Sequence, residues 1–323
     1  MLYVAKTPIG YFAFEENGKL ASYKLFPKDP KKAARLLESP IPNEFTSKLK
    51  GKVKVDYRLA RERWRKLAIE LGFCKSEAEL NAFLSDVGFE LTRSRMKRAM
   101  KKDMLIVRLI SIVNSLTKIE NTLLSQLREF YLVHYPEVRD KGERLARLIA
   151  KYKRRENFPG YGGSVGLDFE EKEIEIATNI AELSLKIASM IDEIKSRASE
   201  LAREIAPNAC SVVEPIIVAK LIAKAGSLEK LAKAASSTIQ LLGAEKALFR
   251  HLRSKKAKPP KHGIIFECKF IRNAPKKLRG KIARAIAAKL AIAFKVDYYS
   301  SRFIGDRLKE DLLKELREIG AIR

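Results

Sequence analysis

From Ile106 to His134 the chain reads IVRLISIVNSLTKIENTLLSQLREFYLVH, in which apolar residues recur at alternating steps of three and four. This first seam comprises Ile106, Leu109, Val113, Leu116, Glu120, Leu123, Leu127, Phe130 and His134. A second seam keeps the same rhythm through Ile180, Ser184, Ile187, Ile191, Ile194, Ala198, Leu201 and Ile205. Such spacing is typical of a coiled coil. Because each helix leaves an apolar stripe that must be covered, the two are predicted to fold back as an antiparallel pair.

The seams are short, so the core of an ordinary helical domain is the alternative interpretation. Glu120 and Ser184 are polar seam positions that would fix the register of the pair. Between the helices, Tyr135-Pro136 marks a break, and NFPGYGGSVG at residues 157–166 is rich in glycine. This segment lacks the Gly-Lys-Ser/Thr of a phosphate loop and the third glycine of a dinucleotide fingerprint. We therefore expect a flexible tip and no phosphate site.

The first hundred residues predict a small α+β domain. A half-buried strand pattern runs from Leu2 to Phe14 and resumes from Leu20 to Phe26, with a tight turn at Asn17-Gly18 between them. The other predicted elements are a helix over Lys31 to Glu38, a strand in the basic stretch of Lys48, Lys50, Gly51, Lys52, Val53, Lys54 and Val55, and helices around Arg58 to Leu71 and Ser76 to Leu84.

The last third of the chain predicts a mostly helical unit. The second seam helix should stop near Ala206, because Pro207 cannot donate a helical hydrogen bond. Ile216 to Ala225 reads as a helix with Gly226 in the C-cap position. The predicted fold is therefore mainly α, with an α+β domain at 1–100, an antiparallel coiled coil at 101–206 and an all-helical domain at 207–323.

Composition points to an anionic partner. The chain has 65 Lys and Arg against 39 Asp and Glu, a formal charge of +26, which favours RNA, DNA or an anionic membrane. The membrane is disfavoured because no apolar run approaches the roughly 18 residues of a spanning helix. The start at Met1 also lacks the pattern of a secretion signal. Cys74, Cys210 and Cys268 have no metal or redox spacing and are expected to be free, partly buried thiols.

Catalytic motifs are missing from the sequence. His134, His251 and His262 are the only histidines, and none has the spacing of a metal site or lies near a recognisable nucleophile. The carboxylates alternate with Lys and Arg at helical spacing, which is typical of solvated helix faces. We therefore expect neither catalytic nor metal-ligating residues, although groups distant in sequence can still converge in space.

Basic residues are concentrated between Arg250 and Arg284, where thirteen Lys and Arg stand against Glu267 alone. This density predicts a footprint for phosphates. Ser254 to His262 reads as a loop and Ile264 to Phe266 as a short strand-like run or buried connector. Polar donors near His262 and Phe266 favour RNA over duplex DNA, because RNA readers use flexible contacts and base stacking. A solvated basic loop is the bland alternative.

Upstream of this segment, a helix is predicted to open just after Gly243. Its first turn would present unpaired amide groups to an anion, with Lys246 adding positive charge. Glu245 would instead stabilise the terminus through the helix dipole. Leu248 and Phe249 are expected in the core, and a generic capped helix explains the stretch nearly as well.

Several motifs in this region resemble the Nop domain, which is found in box C/D ribonucleoprotein scaffolds and a spliceosomal relative. The main one is SSTIQLLGAEKALFR at residues 236–250. Further matches are Ile205 to Asn208, Ala225 to Leu228, Pro260 to Gly263, Gly280 to Ala285 and Asp297-Tyr298. Gly10 to Phe14, Leu25 to Pro27, Leu127 to Tyr131 and His134 to Glu137 resemble the archaeal member, so the likeness covers nearly the whole chain.

The resemblance implies a non-catalytic scaffold with three tasks. The N-terminal domain would dock the methyltransferase fibrillarin, the coiled coil would self-associate, and the Nop domain would bind kink-turn guide RNA and substrate RNA beside a ribosomal-type kink-turn binding protein. RNA contacts are expected from Gly243, Ala244, Glu245, Lys246, Arg250, Arg253, Lys258, Lys261, His262, Lys281 and Arg284. Self-association is expected through Ile180, Ile187, Ile191, Ile194 and Leu201. S-adenosylmethionine would be bound by fibrillarin, and no cofactor by this chain.

Alternatives to this scaffold are a spliceosomal-type assembly factor and, from another class, an RNA-processing enzyme with a site built from scattered acids. The chain ends at Ala321-Ile322-Arg323 without the long Lys/Glu-rich tail of eukaryotic members. That ending favours an archaeal or a truncated protein. The expected location is the cytoplasm of an archaeon, or the nucleolus if the protein is eukaryotic.

Overall fold

The chain divides into two compact units, Met1–Met100 and Lys101–Arg323. This computed structural model describes residues 1–49, 53–61, 63–254, 257–300 and 302–321. The structure is mainly α with one small sheet near the N-terminus, as the sequence predicts. The predicted division near residue 100 coincides with the limit of the first unit, whereas the one at 206 lies inside the second.

The first unit is built on a four-stranded sheet in the order β3-β2-β1-β4. Its strands are β1 (Leu2–Thr7), β2 (Gly10–Glu15), β3 (Leu20–Leu25) and β4 (Val53–Val55). The first three are antiparallel, and β4 runs parallel to β1. The turn at Asn17-Gly18 is confirmed by a 2.9 Å hydrogen bond from Gly18 N to Glu15 O. The first strand pattern is two strands rather than one, because the chain turns at Pro8-Ile9 and pairs with itself.

Helices cover the sheet. They are α1 (Pro30–Glu38), α2 (Asn43–Ser47), α3 (Arg58–Arg61), α4 (Trp64–Glu70) and α5 (Glu77–Ala99). Alternate side chains of β2 enter two cores, with Phe12 packed beside Phe73 on one side and Tyr11 beside Phe26 on the other. The predicted α+β domain is confirmed. Of the predicted basic strand, Lys50, Gly51 and Lys52 lie outside the described residues.

The second unit contains the predicted antiparallel helix pair, α6 (Lys102–His134) and α8 (Glu171–Ile205). Seam residues are buried between the two helices, as at Val113, which packs against Ile187 and Ile191. Glu120 is 9% exposed and Ser184 1% exposed, so the polar positions do lie in the seam. Burial raises the pKa of the Glu120 carboxyl, because it disfavours the charged form.

The five residues expected to mediate self-association pack against other residues of the same chain. Ile187 and Ile191 are buried against α6, with Ile194 partly buried beside them. Leu201 lies in the core that continues beyond α8, and Ile180 packs near Tyr131 and Leu127. Association of two chains through these residues stays a prediction, and their side chains already serve the intrachain pair.

The segment between α6 and α8 is folded. It contains α7 (Gly142–Tyr152) and a 3-10 helix (Arg155–Asn157). Buried Arg155 donates to the carbonyl oxygens of His134 and Gly166, the latter at 2.9 Å. Glu137 Oε1 accepts the N–H of Val165 at 2.9 Å. The expectation of a flexible tip is therefore wrong for Val165 and Gly166, whose backbones are hydrogen-bonded to side chains. The Val165 side chain is nevertheless 90% exposed.

The remainder of the second unit is a bundle of helices. They are α9 (Pro207–Val212), α10 (Pro215–Ala225), α11 (Leu228–Lys233), α12 (Ser236–Leu241), α13 (Glu245–Arg253), α14 (Lys269–Arg272), α15 (Arg279–Tyr299) and α16 (Gly305–Glu318). Its core includes Ile106 of α6 and Leu201 of α8 together with Ile286 and Phe294 of α15. The helix pair and the bundle thus share one core.

A buried polar joint fixes the turn between α8 and α9. As predicted, α8 ends before Pro207, which becomes the first residue of α9. Asp297 of α15 accepts the backbone N–H groups of Asn208 and Ala209, both at 3.0 Å. The Asn208 amide also donates to Arg302 O at 3.0 Å. Asn208 and Asp297 belong to two of the motifs that resemble the Nop domain. Their hydrogen bonds connect α9 to α15.

The expectations for cysteines are confirmed, since Cys74 and Cys268 are buried and Cys210 is partly buried, all as free thiols. Burial raises the pKa of Cys210 and Cys268 to about 12. Gly226 ends α10 in the left-handed conformation, as predicted. In the part of the chain that the structure describes, no helix has both the length and the apolar character to cross a membrane.

Candidate nucleic-acid interface

Helix α13 lies on the surface and buries none of its residues. Phe249 is 58% exposed and Leu252 70% exposed, next to the exposed cations Lys246, Arg250 and Arg253. The expected core position of Phe249 is therefore wrong. Phe249 is three residues after Lys246 and four before Arg253, so it shares their outward face. The helix presents charge and apolar surface together.

The start of α13 depends on glycine. Gly243 has φ +94°, and a Cβ there would lie 2.6 Å from Ile264 Cγ1. Glu245 Oε1 accepts the Gly243 N–H at 2.8 Å, and Glu245 Oε2 lies 3.2 Å from Lys224 Nζ. Burial opposes ionisation of Glu245, but these hydrogen bonds and Lys224 hold its pKa below the usual value. The Glu245 carboxylate thus stabilises the turn at Gly243 through these contacts. A contact between Glu245 and RNA stays a prediction.

The C-terminal end of the basic loop, at Gly263 and Ile264, packs against the residues that precede Gly243. Gly263 N donates to Gln240 O at 2.9 Å, and Ile264 N donates to Leu242 O at 2.8 Å. A Cβ at Gly263 would lie 2.0 Å from Leu242 O, so this approach requires glycine. The Gln240 side chain also donates to Lys261 O at 2.8 Å. Lys261 is thereby placed beside the segment that leads into α13.

An aromatic stack follows Lys261. The rings of His262 and Phe266 are stacked with centroids 4.5 Å apart, and the Arg279 guanidinium lies 5.4 Å from the Phe266 centroid. Ile264 to Phe266, expected as a strand-like run or connector, forms a 3-10 helix instead. Burial, followed by Arg279 and Lys261, lowers the pKa of His262. At neutral pH His262 is therefore an uncharged ring that can stack and hydrogen-bond.

The remaining predicted contacts are also at the surface. Lys281 and Arg284 are exposed one turn apart on α15, and the Lys261 side chain lies beside Gly280 at the start of that helix. Lys258 is exposed in the loop. Of the thirteen clustered basic residues, Lys255 and Lys256 lie outside the described residues. The structure thus places Lys261 and His262 near the turn at Gly243 that leads into α13, and Lys246 lies in the first turn of that helix.

Sequence reasoning missed Phe249 and Leu252 as surface residues of this region. The helical period could have found Phe249, since Leu248 rather than Phe249 falls on the Ala244 face. Arg279 is one of the thirteen clustered basic residues, but its contact with the Phe266 ring depends on the fold and was not predicted. In the described ranges, no group of three His, Cys, Asp or Glu side chains is arranged to hold a metal ion.

A cationic helical surface with exposed aromatic and apolar side chains is typical of proteins that bind nucleic acids. The family model described as "Nop: snoRNA binding domain, fibrillarin" matches residues 112–318. The chain therefore belongs to the Nop family, and the matched range contains the RNA-binding Nop domain.

Two relatives known from their sequences support this membership. An uncharacterized NOP5 family protein of Methanocaldococcus jannaschii is 33% identical over 360 residues, covering 99% of this chain and 86% of the relative. Nucleolar protein 58 of Schizosaccharomyces pombe is 30% identical over 88% of this chain and 61% of its own length. This chain thus spans about three fifths of that nucleolar relative. A solved structure titled a fibrillarin/Nop5p complex aligns with 98% of this chain and 99% of that one, at TM-score 0.47 and 20% identity.

Proposed function

We propose that this chain is the scaffold subunit of a box C/D ribonucleoprotein, which holds fibrillarin on guide RNA for site-specific 2′-O-methylation of rRNA or tRNA. The observation that carries the proposal is the surface of α13, where Lys246, Arg250 and Arg253 stand beside exposed Phe249 and Leu252. Membership of the Nop family supports it. The names of the nucleolar relatives suggest the nucleolus for a eukaryotic protein, and for an archaeal protein the proposed location is the cytoplasm.

The two kinds of side chain on α13 suit two partners at once. Lysine and arginine neutralise phosphates and position the protein on RNA without reading sequence. Phe249 and Leu252 offer the apolar anchors that protein interfaces use. A kink-turn RNA already bound by its small ribosomal-type protein presents both surfaces. In this proposal α13 recognises the assembled particle better than either component alone.

His262 would add a stacking contact. Its ring already rests on Phe266, with Arg279 on the same aromatic group. A neutral, partly exposed ring of this kind can receive an unpaired base, because base–aromatic stacking is tolerant of sequence. Lys261 on one side and Lys281 on the other would hold the flanking phosphates.

Self-association would use the outer flank of the helix pair. Leu105, Ile112 and Ile119 on α6 and Ile176, Leu183 and Met190 on α8 are 43–50% exposed and seven residues apart. Each of them precedes a buried or seam residue by one position. Equivalent positions of antiparallel helices lie on the same face of the pair, so the six residues form one apolar stripe suited to a second copy.

Sedimentation of the full chain tests this stripe. The double variant Ile119→Lys/Leu183→Lys should shift the chain from dimer to monomer, because it places charge in the proposed contact. Asn121→Lys, exposed on the other flank of α6, is the control and should leave the dimer intact. A wild-type chain that sediments as a monomer at micromolar concentration contradicts the proposed self-association.

The first unit would dock fibrillarin, which supplies S-adenosylmethionine and the chemistry, while this chain positions the enzyme. Reconstitution with guide RNA, the kink-turn binding protein and fibrillarin tests the whole proposal by mapping methylated nucleotides. We expect methylation at the guided nucleotide only when all components are present. Methyl transfer by this chain without fibrillarin contradicts the scaffold role, and failure to retain fibrillarin in a pull-down favours the spliceosomal type.

A further inference from the structure

A second cationic surface lies in the first unit, outside the Nop domain. Residues 1–100 contain 21 Lys and Arg against 12 Asp and Glu, a net charge of +9. Part of this excess lines a groove of about 400 Å³ between α1 and α5. The groove is lined by Lys31, Ala34, Arg35, Glu90, Arg93, Ser94 and Lys97. We call it the α1/α5 groove.

The cations of the α1/α5 groove form two rows. Lys31 and Arg35 are four residues apart on α1, and Arg93 and Lys97 are four apart on α5, so each pair lies on one face with a rise of about 6 Å. The buried Ala34 and the half-buried Ser94 lie between them. Two helices thus hold four positive charges around a narrow polar channel.

These charges are largely uncompensated. Among the described residues, the carboxylate paired with a groove cation is Glu90, 3.7 Å from Arg93. Glu38 is engaged by Arg95 at 3.4 Å and by Arg98, and Ser94 also donates to it. Asp29 and Asp86 line the adjoining pocket beside Lys31. In the described part of the chain, no carboxylate oxygen lies within 4.0 Å of a side-chain nitrogen of Lys31, Arg35 or Lys97. Such like charges repel one another unless an external anion joins them.

We propose that the α1/α5 groove binds the phosphodiester backbone of RNA and is a second RNA-contacting surface, separate from the Nop domain. Regularly spaced Lys and Arg are the donors that proteins direct at phosphate oxygens. A chain of phosphates satisfies several of these cations at once. The contact is independent of sequence and adds to affinity through counterion release.

The lining of the groove favours RNA over a protein partner. None of its seven residues is aromatic or a large aliphatic residue, and the exposed Phe89 lines the adjoining pocket rather than the groove, whereas protein interfaces depend on such anchors at their centre. The surface of α13 differs in this respect, since it offers Phe249 and Leu252. An acidic protein surface is therefore the outcome that the experiment must separate.

The test is a salt titration of RNA binding by the full chain, read by fluorescence anisotropy of a labelled guide RNA. The groove variant Arg35→Ala/Lys97→Ala removes two exposed charges from helices that tolerate alanine well. Lys24→Ala/Lys75→Ala, exposed elsewhere on the same unit, is the matched control. The groove variant should lower the slope of log Kobs against log salt by about 1.8, or 0.9 per lost contact, and the control should not.

Two further arms make the outcome decisive. Equal slopes for the groove variant and its control overturn the proposal, as does a groove variant that keeps its RNA affinity but loses a protein component of the particle. The variant Lys246→Ala/Arg250→Ala on α13, titrated against guide RNA that already carries the kink-turn binding protein, reports separately on the proposed function. If the α13 variant binds RNA normally while the groove variant does not, the proposed function fails and the groove proposal stands. Circular dichroism of each variant confirms that the helices are retained.

Discussion

The inner seam of the helix pair and helix α13 both have amphipathic sequences, yet the apolar residues of the seam are buried and those of α13 are exposed. Leu127 and Ile106 in the seam are fully buried, whereas Phe249 and Leu252 of α13 are mostly exposed. A monomeric protein stabilises itself by burying such groups, so an apolar face that stays exposed beside cations marks a binding surface. The buried seam and the proposed RNA-binding surface are therefore located in different helices.

Truncating one side chain in each region should give the largest contrast. Leu127→Ala should lower the free energy of unfolding by about 2–5 kcal/mol, because it removes a fully buried side chain and leaves a cavity. Phe249→Ala should change it by less than about 0.5 kcal/mol, as is usual for a surface substitution. Urea denaturation followed by circular dichroism measures both. Equal losses of stability in the two variants would erase the distinction between the regions.

A smaller loss is expected where α13 begins. Gly243→Ala should cost about 1–3 kcal/mol, because alanine disfavours a positive φ and its Cβ would meet Ile264. Gly162→Ala is the matched control, since Gly162 has no neighbour within 4 Å and no positive φ. The same denaturation experiment compares them. A Gly243→Ala protein as stable as this control would show that the turn does not need glycine.

The sequence predicted the elements with strong periodicity. The seams of α6 and α8, the stop before Pro207 and the turn at Asn17-Gly18 each follow from local patterns that packing does not override. The start of α13 just after Gly243 was also predicted. Local physics thus located both the long helices and the beginning of the cationic surface.

Other features needed the fold. The burial of Leu145 and Ile149 on α7 was not predicted, because α7 is short and offers only a few turns of helical period before the glycine-rich segment. The tip is fastened by Arg155, a contact between segments distant in sequence, which no local pattern encodes. Phe249 was misplaced because apolar residues are usually buried, a tendency that fails at binding surfaces.

The smallest expected effect concerns His262. Burial, Arg279 and Lys261 lower its pKa, so the folded chain holds fewer protons there than the unfolded chain. This contribution to stability is present above the ordinary pKa of about 6.5 and is lost as pH falls through the lowered folded value. An NMR titration should place the midpoint below 6.5, and phosphate bound beside the ring should raise it. A midpoint above 6.5 in the free protein would contradict the environment described for His262.

The central claim is that exposed α13 binds RNA as part of a particle. The most direct measurement is the salt dependence of binding to a kink-turn RNA that already carries its small protein. Lys246→Ala/Arg250→Ala should lower the slope by about 1.8, at 0.9 per phosphate contact, while Lys309→Ala/Lys314→Ala, exposed on α16, should leave it unchanged. An unchanged slope for the α13 variant would contradict the account.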